Sequence, residues 1–224
     1  MPTLTSTDGH QLDSYEVDPE GATASVVVIQ EIFGINPHIR SVVDRFADLG
    51  YRAIAPAIFD RVERGVELDY NPEGIETGRG LLGGLNWDDS VNDIAAAVAH
   101  VSDTGPVAVI GYCYGGSLAW LAAHSLPITV AVGYYGGQVP DFKERTPAVP
   151  TMLHFGALDQ SIPLDGVREV IDLYPAMPVH IYDEAGHGFS CDARGSYHAD
   201  SAALALERTL AFLASADSAF VLDG

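Results

Sequence analysis

Three residues of this chain have the types, order and surroundings of a nucleophilic relay. Cys113 lies in Gly111-Tyr112-Cys113-Tyr114-Gly115-Gly116, directly after the apolar run PVAVI (106–110) and directly before a helical run. Glycines on both sides permit a sharp strand-to-helix turn that a Cβ would block. Such a turn, the nucleophile elbow, lifts its middle side chain above the sheet edge. It also leaves the N–H of Tyr114 at a helix N-terminus, free to stabilise an oxyanion. A thiol with a pKa of about 8.5 needs a base to react near neutral pH. The order nucleophile, acid, histidine then points to Asp159 in His154-Phe-Gly-Ala-Leu-Asp-Gln160 and His187 in Glu184-Ala-Gly-His-Gly-Phe189. His187 is expected to take the thiol proton and Asp159 to set the imidazole tautomer. The plainer alternatives are a buried cysteine in a packing turn, an aspartate in a loop turn and a surface histidine. The other seven histidines, His10, His38, His100, His124, His154, His180 and His198, lack this placement and read as helix, strand or surface residues.

These residues need a scaffold that brings three loops to one rim. A hairpin is expected over 8–19, with Asp8-Gly9 as its turn. Short β-branched or apolar runs at 25–30, 51–55, 106–110, 128–135, 150–155 and 178–182 read as strands. Helical spacing appears over 38–49, 87–102, the segment after Cys113, 164–173 and 198–214. Residues 57–85 read as irregular and Gly-rich, and 215–224 as a loose tail. Strands alternating with helices predict an α/β fold, a mostly parallel central sheet with helices on both faces. With no repeat, linker or low-complexity segment, 1–224 reads as a single domain.

Composition narrows the function. Thirty-one acidic against eleven basic residues give a net charge of −20. A surface this acidic repels phosphate backbones and anionic lipid, which argues against nucleic acid and membrane as partners. The ten Arg to one Lys and the excess of Asp fit a high-salt interior, where screening removes self-repulsion; codon bias with ordinary acidity fits as well. Two cysteines make no disulfide framework, and no metal-ligand spacing is present, so neither metal nor cofactor is expected. The apolar stretch 118–135 is broken by His124, Ser125 and Pro127 and is no membrane span. The N-terminus carries no basic stretch leading into an apolar run, so the expected compartment is the cytoplasm. A chain of this size is expected to work as a monomer.

Gln30-Glu-Ile-Phe-Gly34, Gly111-Tyr-Cys-Tyr-Gly-Gly116, Gly133-Tyr-Tyr-Gly136, the loop around Asp159, Glu184-Ala-Gly-His-Gly-Phe189 and Glu207-Arg-Thr-Leu-Ala-Phe-Leu213 occur in this order. Together they resemble the dienelactone hydrolases, cysteine-dependent members of the α/β-hydrolase fold, over nearly the whole chain. The resemblance implies a second oxyanion N–H from Ile32 and a contact between Glu31 and the resting thiol. It also implies that Arg61 binds a substrate carboxylate and that Tyr134 stands beside the substrate. The family pattern has a second carboxylate-binding arginine four residues after the histidine. Here that position is Cys191, the serine next to the histidine is Gly188, and Arg194 lies three residues further on. Cys191 reads as an inert small hydrophobe or as a disulfide partner for Cys113. The expected activity is hydrolysis of a small carboxylate-bearing lactone or ester. A non-catalytic binding module and a thiol redox sensor are the competing readings.

Overall fold

The computed structural model describes residues 2–221. One eight-stranded sheet runs through it in the order β1-β2-β4-β3-β5-β6-β7-β8. β1 (Thr3–Thr5) and β2 (Gln11–Val17) form the antiparallel edge. β4 (Arg52–Pro56), β3 (Ser25–Ile29), β5 (Val107–Tyr112), β6 (Val130–Tyr134), β7 (Thr151–Gly156) and β8 (Val179–Tyr182) are parallel. β3, β5, β6 and β7 are buried at every position. Because successive side chains point to opposite faces, this requires cover on both, and the mostly parallel, doubly covered sheet is as expected. The hairpin differs in extent: the Asp8-Gly9 turn joins β1 to β2, and β2 continues across to β4.

The helices are α1 (Pro37–Asp48), α2 (Pro72–Leu82), α3 (Trp87–Val101), α4 (Tyr114–Ser125), α5 (Leu164–Leu173) and α6 (Ala199–Ala216). Asn36, Asn71 and Asn86 cap the first three, each side-chain oxygen accepting from the first turn's N–H groups. None of the helices in the described residues is long and apolar enough to cross a membrane.

Two expectations are corrected. Residues 57–85 are not irregular throughout: they contain a 3-10 turn, Ile58–Arg61, and all of α2. Glycines at 74, 78 and 80 lower helix propensity, which hides α2 in the sequence. At Gly78 the reason is tertiary: a Cβ there would lie 2.1 Å from the Ile32 carbonyl oxygen. The C-terminus is also packed further than a loose tail. α6 runs to Ala216, Phe220 is fully buried, and the Tyr51 hydroxyl donates to the Phe220 carbonyl at 2.6 Å. The rest of that tail, 222–224, lies outside the described residues.

The parallel register lines up the carboxyl ends of the central strands. Ile29 pairs with Gly111, Tyr112 with Tyr134, and Tyr134 with His154. The loops that follow β3, β5, β6, β7 and β8 therefore meet along one rim, the usual place for a site in a sheet of this kind.

Candidate active site

The turn after β5 holds Cys113 at φ +56°, ψ −114°, a conformation a residue with a side chain rarely adopts. Its neighbours over-determine it. The Cys113 N–H donates to the Tyr134 carbonyl at 3.0 Å, and the Gly115 N–H to the Gln30 carbonyl at 3.1 Å. A Cβ on residue 115 would sit 2.4 Å from the Ile29 carbonyl oxygen, so α4 approaches β3 only through a glycine. Strain of this kind costs about 1–3 kcal/mol and persists where surrounding structure compels it.

The half-buried sulfur of Cys113 lies 3.2 Å from Nε2 of His187. On the other side of the ring, Nδ1 lies 2.7 Å from Oδ2 of the buried Asp159. The remaining Asp159 oxygen accepts the Ser161 N–H at 2.8 Å, which fixes the carboxylate plane. Burial alone disfavours a charged His187. The Cys113 sulfur and the Asp159 carboxylate outweigh it and push the imidazole up to about 10. Cys113, His187 and Asp159, read from three separate loops, are thus brought together in one line. The backbone N–H groups of Ile32 and Tyr114 make no hydrogen bond among the described residues. The Ile32 loop is tied down by Gln30, whose side-chain carbonyl accepts the Ile58 N–H.

A cavity of about 300 Å³ opens over Cys113 and His187. Ile32, Phe33, Tyr114 and Ile162 form apolar walls, α2 contributes Ile75, Leu82 and Arg79, and Arg194 also lines it. Arg79 makes no ion pair among the described residues. Neither α2 nor Arg79 was legible as part of the site; the signal was the NPEG start of a capped helix at 71–74.

Other expected residues are placed differently. Arg61 does not line this cavity. Its guanidinium forks onto buried Asp93 at 2.7 and 2.8 Å and reaches the exposed Asp8 at 2.8 Å, so three of its five donors face carboxylates away from the cavity. Tyr134 is fully enclosed, its hydroxyl 2.6 Å from Thr209 Oγ1 and its ring stacked on Tyr112. It serves the elbow through its carbonyl rather than through its ring. Glu31 makes no hydrogen bond to the thiol, which faces His187. One of its oxygens accepts from Arg194 at 3.0 Å and the other from the Tyr70 hydroxyl at 2.6 Å.

Arg194 is held in place from several sides. Its guanidinium lies 5.6 Å from the Phe33 ring centre and 5.4 Å from that of Tyr70, in addition to the Glu31 pair. Gly188, at φ +73°, leaves the space it fills. Cys191 is fully buried beneath this group, and desolvation pushes its thiol up to about 12, away from the reactive thiolate.

The comparisons agree with this architecture. The model of the dienelactone hydrolase family matches residues 12–216. A carboxymethylenebutenolidase of Pseudomonas putida is 36% identical over 227 residues, covering 96% of each chain. Another, from Pseudomonas sp. (strain P51), is 32% identical over 209 residues, covering 88% of this chain and 87% of its own. A crystal structure from Klebsiella pneumoniae subsp. pneumoniae superposes with a TM-score of 0.82 at 30% identity, covering 94% of this chain and 97% of that one. A cysteine at a strand-to-helix elbow on an eight-stranded α/β-hydrolase sheet, together with a family match across nearly the whole length, makes this chain a member of the dienelactone hydrolase family.

Proposed function

We propose that the protein hydrolyses a small carboxylate-bearing lactone or ester through a Cys113–His187–Asp159 triad. The observation that carries this reading is the unbroken Asp159–His187–Cys113 line at the floor of the cavity. The Cys113 sulfur, as thiolate beside a protonated His187, adds to the substrate carbonyl carbon. The carbonyl oxygen takes the negative charge and receives the N–H groups of Ile32 and Tyr114. The tetrahedral adduct collapses, the C–O bond breaks, and the leaving oxygen takes the proton of His187. In a lactone that oxygen stays tethered and the ring opens. Neutral His187 then draws a proton from water, whose oxygen attacks the thioester. Collapse of this second adduct expels the Cys113 thiolate and frees the acid. Asp159 holds Nδ1 protonated throughout, so that Nε2 faces the chemistry.

An anionic substrate suits the two guanidinium groups on the cavity wall. In a chain of net charge −20, Arg79 and Arg194 supply the local attraction for a carboxylate. The relatives' name supports a butenolide bearing a carboxymethylene group, an enol-lactone of the kind produced in aromatic ring breakdown. A catalytic thiol suits the reducing cytoplasm. The intact relay favours turnover over a binding module.

The test is hydrolysis of p-nitrophenyl acetate and of a dienelactone by the wild type and Cys113→Ala. The variant is expected at background on both, with the wild type favouring the carboxylate-bearing lactone. Full activity in Cys113→Ala sinks the mechanism. Equal kcat/KM for an ester with and without a carboxylate sinks the anionic-substrate reading alone.

A further inference from the structure

Next to Arg194, which donates to Glu31, three donors outside the Cys113–His187–Asp159 line converge. A carboxylate oxygen of Glu31, a ring nitrogen of His38 and the sulfur of Cys191 all lie within 4.8 Å of one another, and all three residues are buried. His38 is the informative member. Its Nδ1 lies 3.3 Å from Oδ1 of Asp192, an exposed aspartate, while its buried Nε2 has no partner among the described residues. A buried ring nitrogen without a partner is costly and needs an explanation. A carboxylate on one ring nitrogen with the other left bare is how histidine ligands are presented to metals.

We propose that Glu31, His38 and Cys191 form a binding site for a borderline-soft divalent cation of the zinc class. Imidazole, thiolate and carboxylate are the donors zinc takes, at bond lengths of about 2.0–2.3 Å. These lengths give a tetrahedron with edges of roughly 3.5 Å, so the cluster closes by an ångström or so when occupied. Glu31 already accepts from Arg194 and Tyr70, but each oxygen has a second lone pair to give. Sharing the carboxylate with a guanidinium makes this a weaker site than a dedicated zinc cage. The fourth position is left to water. Asp192, the partner of His38, also stands in the wall of a surface cavity of about 360 Å³ with Ser190 and Tyr197. Among the described residues, none of the three side chains hydrogen-bonds Cys113, His187 or Asp159.

The chain has two cysteines, and this permits a clean test. In Cys113→Ser, Cys191 is the one remaining thiol. Titrating that protein with cobalt(II) chloride is expected to raise a thiolate-to-cobalt charge-transfer band in the near ultraviolet, saturating at one equivalent and bleached by zinc. The band vanishes in Cys113→Ser/Cys191→Ser. It requires about tenfold or more additional cobalt in Cys113→Ser/Asp192→Asn, a surface change that spares the core. Circular dichroism of each variant checks the fold. Absence of the band in excess cobalt overturns the proposal. So does a band that His38→Phe and Asp192→Asn both leave unchanged.

Discussion

A Cβ on residue 188 would lie 2.3 Å from Nη1 of Arg194. The position next to His187 and the arginine six residues on therefore compete for one volume, and the glycine yields it to the guanidinium. Arg194 in turn bonds Glu31 and lines the cavity over Cys113. Gly188→Ser is expected to displace Arg194. KM for a carboxylate-bearing ester rises, while kcat on p-nitrophenyl acetate changes little. The φ of +73° adds a stability loss of about 1 kcal/mol or more. Steady-state kinetics on paired substrates and urea melts check both parts.

Asp159 orients His187 and helps hold its proton. Asp159→Asn is expected to lower kcat about 10⁴-fold, because the wrong tautomer then faces the thiol. Retention of more than a tenth of the wild-type kcat contradicts this assignment.

The pH profile follows from the same pair. His187 is raised from 6.5 to about 10, so the ring keeps its proton through neutral pH. If His187 is the acid proposed for the leaving oxygen, deprotonation toward pH 10 removes it, and kcat/KM is expected to fall on that alkaline limb. The sign for stability is the same. A folded-state pKa above the unfolded one contributes most below about 6.5, and that contribution is lost as pH climbs to about 10. In Asp159→Asn one raising influence is gone, so both limbs move to lower pH.

Arg61 pairs with Asp93 and Asp8 and does not line the cavity over Cys113. Arg61→Ala leaves the carboxylate of Asp93 buried with the Ser6 hydroxyl and without its counter-charge. The expected cost is about 3–5 kcal/mol of stability. KM measured well below the melting temperature stays at the wild-type value. A large rise in KM in the folded variant returns Arg61 to the substrate.

Gly78 places α2 against the Ile32 carbonyl. Gly78→Val is expected to push the Ile32 N–H off the oxyanion position and lower kcat about 10²-fold. Rates of Cys113 alkylation, which need no oxyanion hole, stay near wild type.

The sequence by itself determined the sheet, the elbow and the chemistry it implies. A strand, a sharp turn and a helix are written in neighbouring residues, and the chain order of Cys113, Asp159 and His187 follows strand ends that any parallel sheet aligns. Gly111 and Gly115 were legible because only a short list of residues tolerates such a turn. The arginines were not legible. A guanidinium on a flexible stem goes to whichever carboxylate the fold brings near, and Arg61 found Asp93, thirty-two residues away on α3. Arg194 reached the cavity because Gly188 left room for it. α2 stayed hidden because its glycines answer to the Ile32 backbone rather than to helix propensity. Glu31 turned to Arg194 and Tyr70 for the same reason. Local backbone geometry is a property of adjacent residues, whereas the partner of a long charged side chain is settled only when distant segments compete for the same space.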